Sequence, residues 1–133
     1  MKKLILSVMM SLFVVGFSFA QTLTSPNGNL VMDFHLSADK VPVYSLKYKG
    51  KDVIRESRMG FQIRPSFDFS KNFRIVETKE DASDTSWNPV WGQNSVIRDN
   101  HKELFVALEQ EGTGWLLNSR FRLFDDGLGF RYE

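Results

Sequence analysis

The sequence predicts an all-β domain, an antiparallel β-sandwich, that follows a cleavable N-terminal signal peptide. Three observations support this fold class. Apolar residues recur at every second position along almost the whole chain, which is the period of a half-buried strand. Turn-forming residues separate these stretches, and no helix longer than the first twenty residues is evident. Twelve Phe, three Trp and three Tyr give the sheets a large apolar area to bury.

The predicted strands follow one another along the chain, and each ends at residues that favour turns. They cover residues 30–36, 43–48, 53–54, 60–64, 72–78, 103–110, 115–124 and 128–132. Two tight turns, Lys-Gly-Lys at residues 49–51 and Asp-Asp-Gly at residues 125–127, predict hairpins. Short strands joined in this way form antiparallel sheets, which pack face to face to bury their apolar sides.

Residues 79–94 do not follow the strand period and are predicted to form a long polar loop. The loop ends with Trp87 and Trp91 on either side of an Asn-Pro pair. Long loops that carry aromatic residues often serve as binding or interface elements. Two interpretations stay open. The indole faces could form a platform for pyranose rings, or they could pack beneath the loop or against a neighbouring domain.

The N-terminus has the three parts of a secretory signal peptide. Two lysines precede the apolar run 4–17, and small residues stand three and one positions before a cleavage point between Ala20 and Gln21. The run is shorter than the ~20 apolar residues that a membrane-spanning helix needs. We therefore expect residues 1–20 to be removed and the remainder to fold in the periplasm or as a secreted protein, with no membrane attachment.

Charge and cysteine content exclude several classes of partner. Loss of the two signal-peptide lysines reduces the 17 basic residues to 15 against 16 acidic ones, a formal charge of −1. No basic stripe indicates binding to nucleic acid. The chain has no cysteine, so neither a lipid-attachment site nor a disulfide framework is predicted. A disulfide-free exported domain fits a bacterial periplasm better than a eukaryotic extracellular setting.

The residues predict no catalytic site. No serine lies in a G-x-S-x-G turn, and no glycine-rich phosphate loop is present. Asp125 and Asp126 are adjacent within a turn, where aspartate is favoured for backbone reasons, so they do not indicate a paired acid and base. His101 and Glu103 would lie on one face of an extended segment and could bind a metal or transfer a proton. We favour a hydrogen-bonded pair at the start of a strand, because no second histidine pair completes a zinc site.

Four segments of the chain, taken in order, resemble the N-terminal domain of glycoside hydrolase family 97. They are the opening residues 23–30, the strand and turn 43–51, the tryptophan-containing segment 87–104 and the ending 121–132, which reads FRLFDDGLGFRY. They are spread in order along essentially the whole of residues 21–133, and their order makes the resemblance specific.

The resemblance implies a three-part enzyme that begins with a β-super-sandwich of the galactose-mutarotase-like type. In that family a central (β/α)8 barrel carries the catalytic carboxylates, and a small β domain follows it. Members cleave α-linked glucosides or galactosides, by inversion or retention, with a calcium ion in the active site. The resemblance places no catalytic residue, metal or cofactor within this chain, and it implies a further acidic calcium ligand beyond Glu133.

The chain stops at Glu133 in the middle of a predicted hairpin, so we expect the front part of a longer enzyme, with an incomplete sandwich. Its role would be to pack on the barrel and help shape a site for an α-linked oligosaccharide. The residues expected at this interface are Trp87, Trp91, Gln93, Asn100, His101 and Glu103. Two alternatives stay open, a stand-alone carbohydrate-binding module and a gene fragment that does not fold alone. Preference for glucosides or galactosides also stays open.

Overall fold

The computed structural model describes residues 20–63 and 67–133. The predicted signal peptide, residues 1–20, lies outside this range except for Ala20, and Gln21 is the first residue of the first strand. Among the described residues, no helix is long and apolar enough to cross a membrane.

Ten strands, all paired antiparallel, make up the described part of the chain. They are β1 (Gln21–Thr24), β2 (Leu30–Leu36), β3 (Pro42–Tyr48), β4 (Lys51–Arg58), β5 (Phe61–Ile63), β6 (Phe67–Phe69), β7 (Phe73–Trp87), β8 (Ile97–Gln110), β9 (Leu116–Leu123) and β10 (Leu128–Tyr132). Strands β1 to β4 form one sheet and β7 to β10 form a second, with each strand beside the next, while β5 and β6 form a separate hairpin. The predicted all-β sandwich is confirmed.

The core lies between the two four-stranded sheets. Met32 and Phe34 on β2 are fully buried, as are Phe121 and Leu123 on β9, and their ring and alkyl groups belong to one apolar cluster. The rings of Phe34 and Phe121, one from each sheet, lie 5.5 Å apart between centroids. Because burial of a Phe or Leu side chain contributes about 1.5–3 kcal/mol, these alternating positions stabilise the packing of the two sheets.

Both predicted hairpin turns are confirmed. The turn between β3 and β4 has positive φ angles at Lys49 (48°) and Gly50 (78°), as a two-residue turn matched to the strand twist requires. Residues 125–127 connect β9 to β10, and Leu128 pairs with Leu123. The predicted strand 60–64 is shorter in the structure, where β5 spans Phe61–Ile63, and residue 64 lies outside the described range.

The prediction of a polar loop over residues 79–94 is wrong for its first nine residues. Strand β7 continues through them to Trp87, and β8 begins at Ile97, six residues before the predicted strand 103–110. The period of two is absent because both faces of this ribbon meet solvent, so no apolar side is required. Backbone pairing and cross-strand contacts such as Arg98 with Asp84, at 2.7 Å, stabilise the ribbon instead.

The β5–β6 hairpin is attached to the second sheet by a buried amide. The Gln110 side chain donates to the carbonyl oxygens of Asp68 (2.6 Å) and Lys71 (3.1 Å). Gly60 precedes this hairpin with φ of 111°, and its backbone lies directly against Phe69. The small hairpin therefore occupies one fixed position beside the sandwich.

Candidate functional site

The β7–β8 hairpin extends beyond the rest of its sheet. Strand β9 last pairs with β8 at Leu123 and Lys102, and five further β7–β8 pairs continue from there to Trp87 and Ile97. We call residues 83–101 the hairpin arm. Arg98 makes two 2.7 Å bonds to the carboxylate of Asp84 across the arm. Residues 83–87 and 97–101 of the arm thus form a paired, cross-linked ribbon, and the unpaired residues 88–96 join its two strands.

The tip of the hairpin arm carries an exposed apolar group. Trp87 is 53% exposed, Trp91 is 88% exposed, and Val90 between them is 99% exposed. Gln93 is exposed beside them. Trp91 therefore does not pack beneath its own loop, whereas about half of the Trp87 surface is covered. The exposed indole surface could instead contact a neighbouring domain or a sugar ring.

The base of the hairpin arm joins the outer face of the second sheet, the face directed away from the core. His101 is 5% exposed and Glu103 is 9% exposed, although neither belongs to the apolar core. They share this face, as the sequence predicts, whereas Asn100 alternates to the opposite side. The ring of His101 contacts that of Phe124 at 5.2 Å between centroids.

The predicted hydrogen-bonded pair between His101 and Glu103 does not form. The Nδ1 atom of His101 lies 2.5 Å from Oδ1 of Asp99, on the same strand. Glu103 instead accepts bonds from Arg122, at 2.8 Å, and from Arg120. The difference arises because β9 pairs beside β8 and places Arg122 directly opposite Glu103, which is closer than the next position along its own strand.

Glu103 is the centre of a network that sequence reasoning missed. Arg120 also donates to Glu133 at 2.7 Å, Arg131 donates to the same carboxylate at 2.8 Å, and the Arg120 guanidinium lies over the ring of Phe105 at 5.0 Å. The only sequence signal is the alternation of arginines on β9 and β10. Their partners are fixed by strand register, which the sequence does not state.

Opposing effects act on the pKa of Glu103. Burial raises it most, but the bonds from Arg122 and Arg120 together outweigh burial and hold the pKa below its ordinary value of 4.5. The Arg120 bond, with a smaller contribution from Arg131, lowers the pKa of Glu133 to about 2. Both groups are therefore carboxylates at neutral pH, and both are already engaged by guanidinium groups.

This arrangement is suited to binding and not to acid–base chemistry. A general acid would need a raised pKa, and a metal would need several free oxygen or nitrogen ligands. The described residues contain no group of three His, Asp or Glu side chains placed to hold a metal ion. The open cavity beside the arm is lined by Asp81, Ser83, Asp99, His101, Glu103 and Arg122. It offers a polar surface at the base of the arm.

Comparison with known proteins identifies the class of domain. A family model described as Glycosyl-hydrolase 97 N-terminal matches residues 23–133, which is nearly the whole described chain. The fold is thus an N-terminal β-sandwich of a carbohydrate-hydrolysing class of proteins. The chain belongs to the family of glycoside hydrolase 97 N-terminal domains.

Solved structures of family 97 enzymes have the same fold. An enzyme from Pseudoalteromonas sp. strain K8, in structures with panose and with acarbose, matches with 33% identity and a TM-score of 0.79. The match covers 85% of this chain but 17% of that enzyme. A beta-arabinopyranosidase matches with 28% identity and a TM-score of 0.76, over 84% of this chain and 18% of the other. This chain therefore spans less than a fifth of the enzymes that it resembles.

Proposed function

We propose that this chain is the non-catalytic N-terminal portion of an exported α-glycoside hydrolase, an α-glucosidase or α-galactosidase. In this role it packs on a (β/α)8 catalytic domain and helps to shape the carbohydrate site. Two findings support this assignment. The chain belongs to the family, and it matches only 17% of the length of the Pseudoalteromonas enzyme. The observation that carries it is the hairpin arm, which holds Trp91 88% exposed beyond the sheet.

The exposed tip of the hairpin arm is suited to contact with a protein surface. Trp87 ends β7, and Val90 and Trp91 lie in the segment that joins β7 to β8. All three expose apolar surface, and each would recover about 25 cal/mol for every Å² of apolar surface buried against a neighbour. Backbone pairs and the Arg98–Asp84 ion pair hold the strands below this segment, so docking has to order only the unpaired residues 88–96. Gln93, which is also exposed at the tip, would lie at the rim of this contact.

Calcium, which the family resemblance implies, is assigned to the catalytic domain. The most buried carboxylate of this chain, Glu103, is bonded to two arginines, and an arginine-bound carboxylate is a poor calcium ligand. We also propose export to the periplasm or the medium, on the basis of the signal peptide pattern. The mass of the protein recovered from a periplasmic extract tests this, since correct cleavage leaves Gln21 as the first residue.

The isolated chain is expected to be inactive. A pure preparation should release no sugar from a chromogenic α-glucoside and should give no binding heat with panose in calorimetry. Hydrolysis by the pure chain would contradict the proposal. Binding of panose that is lost in Trp91→Ala would instead support the second candidate function, a carbohydrate-binding module, which the exposed faces of Trp87 and Trp91 favour.

A chimeric enzyme tests the docking role directly. Residues 23–133 replace the matched region of the Pseudoalteromonas sp. strain K8 enzyme, and hydrolysis of an α-glucoside is measured. Trp91→Ala should lower kcat/KM by roughly tenfold, because an apolar anchor at an interface typically contributes more than 1 kcal/mol, whereas Trp91→Phe should retain most of it. Val53→Ala is the control, since Val53 is 60% exposed on the other sheet. Equal effects of Trp91→Ala and Val53→Ala would refute the docking role.

A further inference from the structure

The cavity at the base of the hairpin arm contains polar groups that the Glu103 network does not use. Its volume is about 230 Å³, and strands β7, β8 and β9 each contribute to its lining. Two of its side chains, Glu103 and Arg122, bond to each other at 2.8 Å. Four other polar side chains line it, namely Asp81, Ser83, Asp99 and His101. Within the described chain, none of these four bonds to Glu103 or Arg122.

The imidazole of His101 is buried but keeps one nitrogen at this cavity. Its side chain is 6% exposed, and Nδ1 lies 2.5 Å from Oδ1 of Asp99. A carboxylate can only accept, so Nδ1 carries the proton and Nε2 of the neutral ring is an acceptor. Among the described residues Nε2 has no hydrogen-bond partner, and the only enclosed side-chain atoms without one are Oδ1 of Asn118 and Oγ of Ser119. Nε2 is therefore not enclosed, and it opens into the cavity that the ring lines.

The two aspartates of the cavity have no cationic partner within the part of the chain that the structure describes. Oδ1 of Asp81 accepts from the next backbone N–H at 2.8 Å, and no ion pair includes Asp81. Asp99 pairs with the imidazole of His101 alone. The nearby carboxylates of Asp84 and Glu103, by contrast, are both bonded to arginines. Two negative charges thus line one cavity without a counter-ion.

This set of groups is suited to a primary ammonium group. An ammonium carries one positive charge and three N–H donors that point in different directions, whereas the planar fork of a guanidinium matches a single carboxylate. The cavity offers acceptors from three separate side chains: Asp81, Asp99 and His101. An anion would be repelled by the two aspartates, and Arg122, the cation that lines the cavity, is engaged by Glu103.

We propose that this cavity binds the side chain of a lysine that belongs to the catalytic domain. The inference rests on the proposed function, because that function places the catalytic domain against this chain. The ammonium would donate to Asp81, to Asp99 and to Nε2 of His101. Ser83 lies directly opposite His101 on β7, and its small side chain leaves this side of the cavity open for the alkyl stem. Both strands are paired here, so the acceptors are held in place before the lysine binds.

NMR of the two histidines tests the site in the chain itself. The probe is N-acetyl-lysine methylamide, which has one ammonium group and no other charge, and N-acetyl-norleucine methylamide is its uncharged counterpart. At constant pH and ionic strength, the lysine compound should shift the imidazole signals of His101 until they saturate, and the norleucine compound should not. His35 is the internal control, because it lies on the other sheet beside a single carboxylate, Glu56 at 3.5 Å. Its signals should show no saturable shift.

Two variants separate a specific site from general attraction to an acidic surface. Asp81→Asn keeps the shape of the side chain but should weaken binding of the lysine compound about threefold or more, because a charge-assisted bond becomes a neutral one. Asp39→Asn removes the same charge from the exposed turn between β2 and β3, at the opposite end of the sandwich. It should change the affinity by less than about twofold, because salt screens charges that far apart. Equal weakening in the two variants would overturn the site.

A zero-length cross-linker tests which group occupies the cavity. A carbodiimide joins a carboxylate directly to an amine that touches it. In the chimeric enzyme that carries residues 23–133, mass spectrometry should find Asp81 or Asp99 linked to a lysine of the catalytic domain. Asp39 should form no such link.

Three other results would also overturn the inference. The absence of a saturable shift at His101 would mean that the cavity does not bind an ammonium group. A larger shift with panose than with the lysine compound would mean that the cavity recognises sugar hydroxyl groups instead. The absence of a cross-link from Asp81 or Asp99 in the chimeric enzyme would mean that no lysine of the catalytic domain enters the cavity. None of these readouts is hydrolysis, so failure of the proposed function would be seen separately, in the Trp91→Ala chimera.

Discussion

Replacement of Glu103 by glutamine tests whether the outer-face network stabilises the domain. Glu103 is 9% exposed and accepts bonds from Arg120 and Arg122. Glutamine keeps the shape of the side chain but removes its charge and replaces one acceptor oxygen by an NH2 group. One arginine therefore loses its bond to residue 103, and the other bonds to a neutral oxygen instead of a carboxylate. The side chains of Arg120 and Arg122 are 27% and 43% exposed and can regain water in part. The cost should therefore be about 2 kcal/mol, below the 3–5 typical of a fully buried pair.

Urea denaturation followed by tryptophan fluorescence measures this loss in the free energy of unfolding. In a thermal melt, the melting temperature should fall by about 6–10 °C. Glu109→Gln is the matched control on the same strand and face. Glu109 also bonds an arginine, Arg74 at 2.7 Å, but Arg74 is 55% exposed, so the expected loss is about 0.5 kcal/mol. Equal losses in the two variants would refute the argument that burial gives the Glu103 network its greater stabilising effect.

The pH dependence provides a second check on Glu103. The pKa of Glu103 in the folded protein lies below its ordinary value of 4.5, so its contribution is complete above that pH and is lost as the pH falls through the folded pKa. The difference in stability between the natural protein and Glu103→Gln should be constant from about pH 5 to 8 and should shrink at lower pH. A difference that grows on acidification would contradict the assigned direction of the pKa shift.

Four further substitutions have clear expected outcomes. Gly60→Ala should destabilise the domain by about 2–4 kcal/mol in urea denaturation, because φ is 111° and a Cβ would overlap the Phe69 carbonyl oxygen. Gly112→Ala is the control, because Gly112 has a positive φ but no neighbour within 4 Å of an added Cβ. It should lower the free energy of unfolding by about 1 kcal/mol. Ser119→Ala should stabilise by about 1 kcal/mol, since the buried hydroxyl has no partner among the described residues. Trp91→Ala should change the free energy of unfolding by less than about 0.5 kcal/mol, because the Trp91 side chain is exposed. A larger loss would show that the indole belongs to the core.

The sequence predicts the parts of the fold in which one face is buried. Alternation is strong at Met32 and Phe34 and again at Phe121 and Leu123, because each apolar position there lies against the other sheet. The hairpin arm shows the limit of this reasoning. Residues 83–87 and 97–101 pair without a register shift, yet neither face of this ribbon packs against the apolar core. An apolar side is therefore not required, and the pattern resembles that of a loop.

The sequence predicts where the candidate site lies but not which of its side chains form hydrogen bonds with one another. Period two places His101 and Glu103 on one face, and the structure agrees. Their partners depend on which residue of β9 lies opposite, and a shift of one position would move Arg122 to the core side of the sheet. Register is set by burial of Leu117, Phe121 and Leu123 on the other face of the same strand. The apolar core therefore determines the polar network, because burial of Phe121 and Leu123 turns Arg122 between them outward, opposite Glu103.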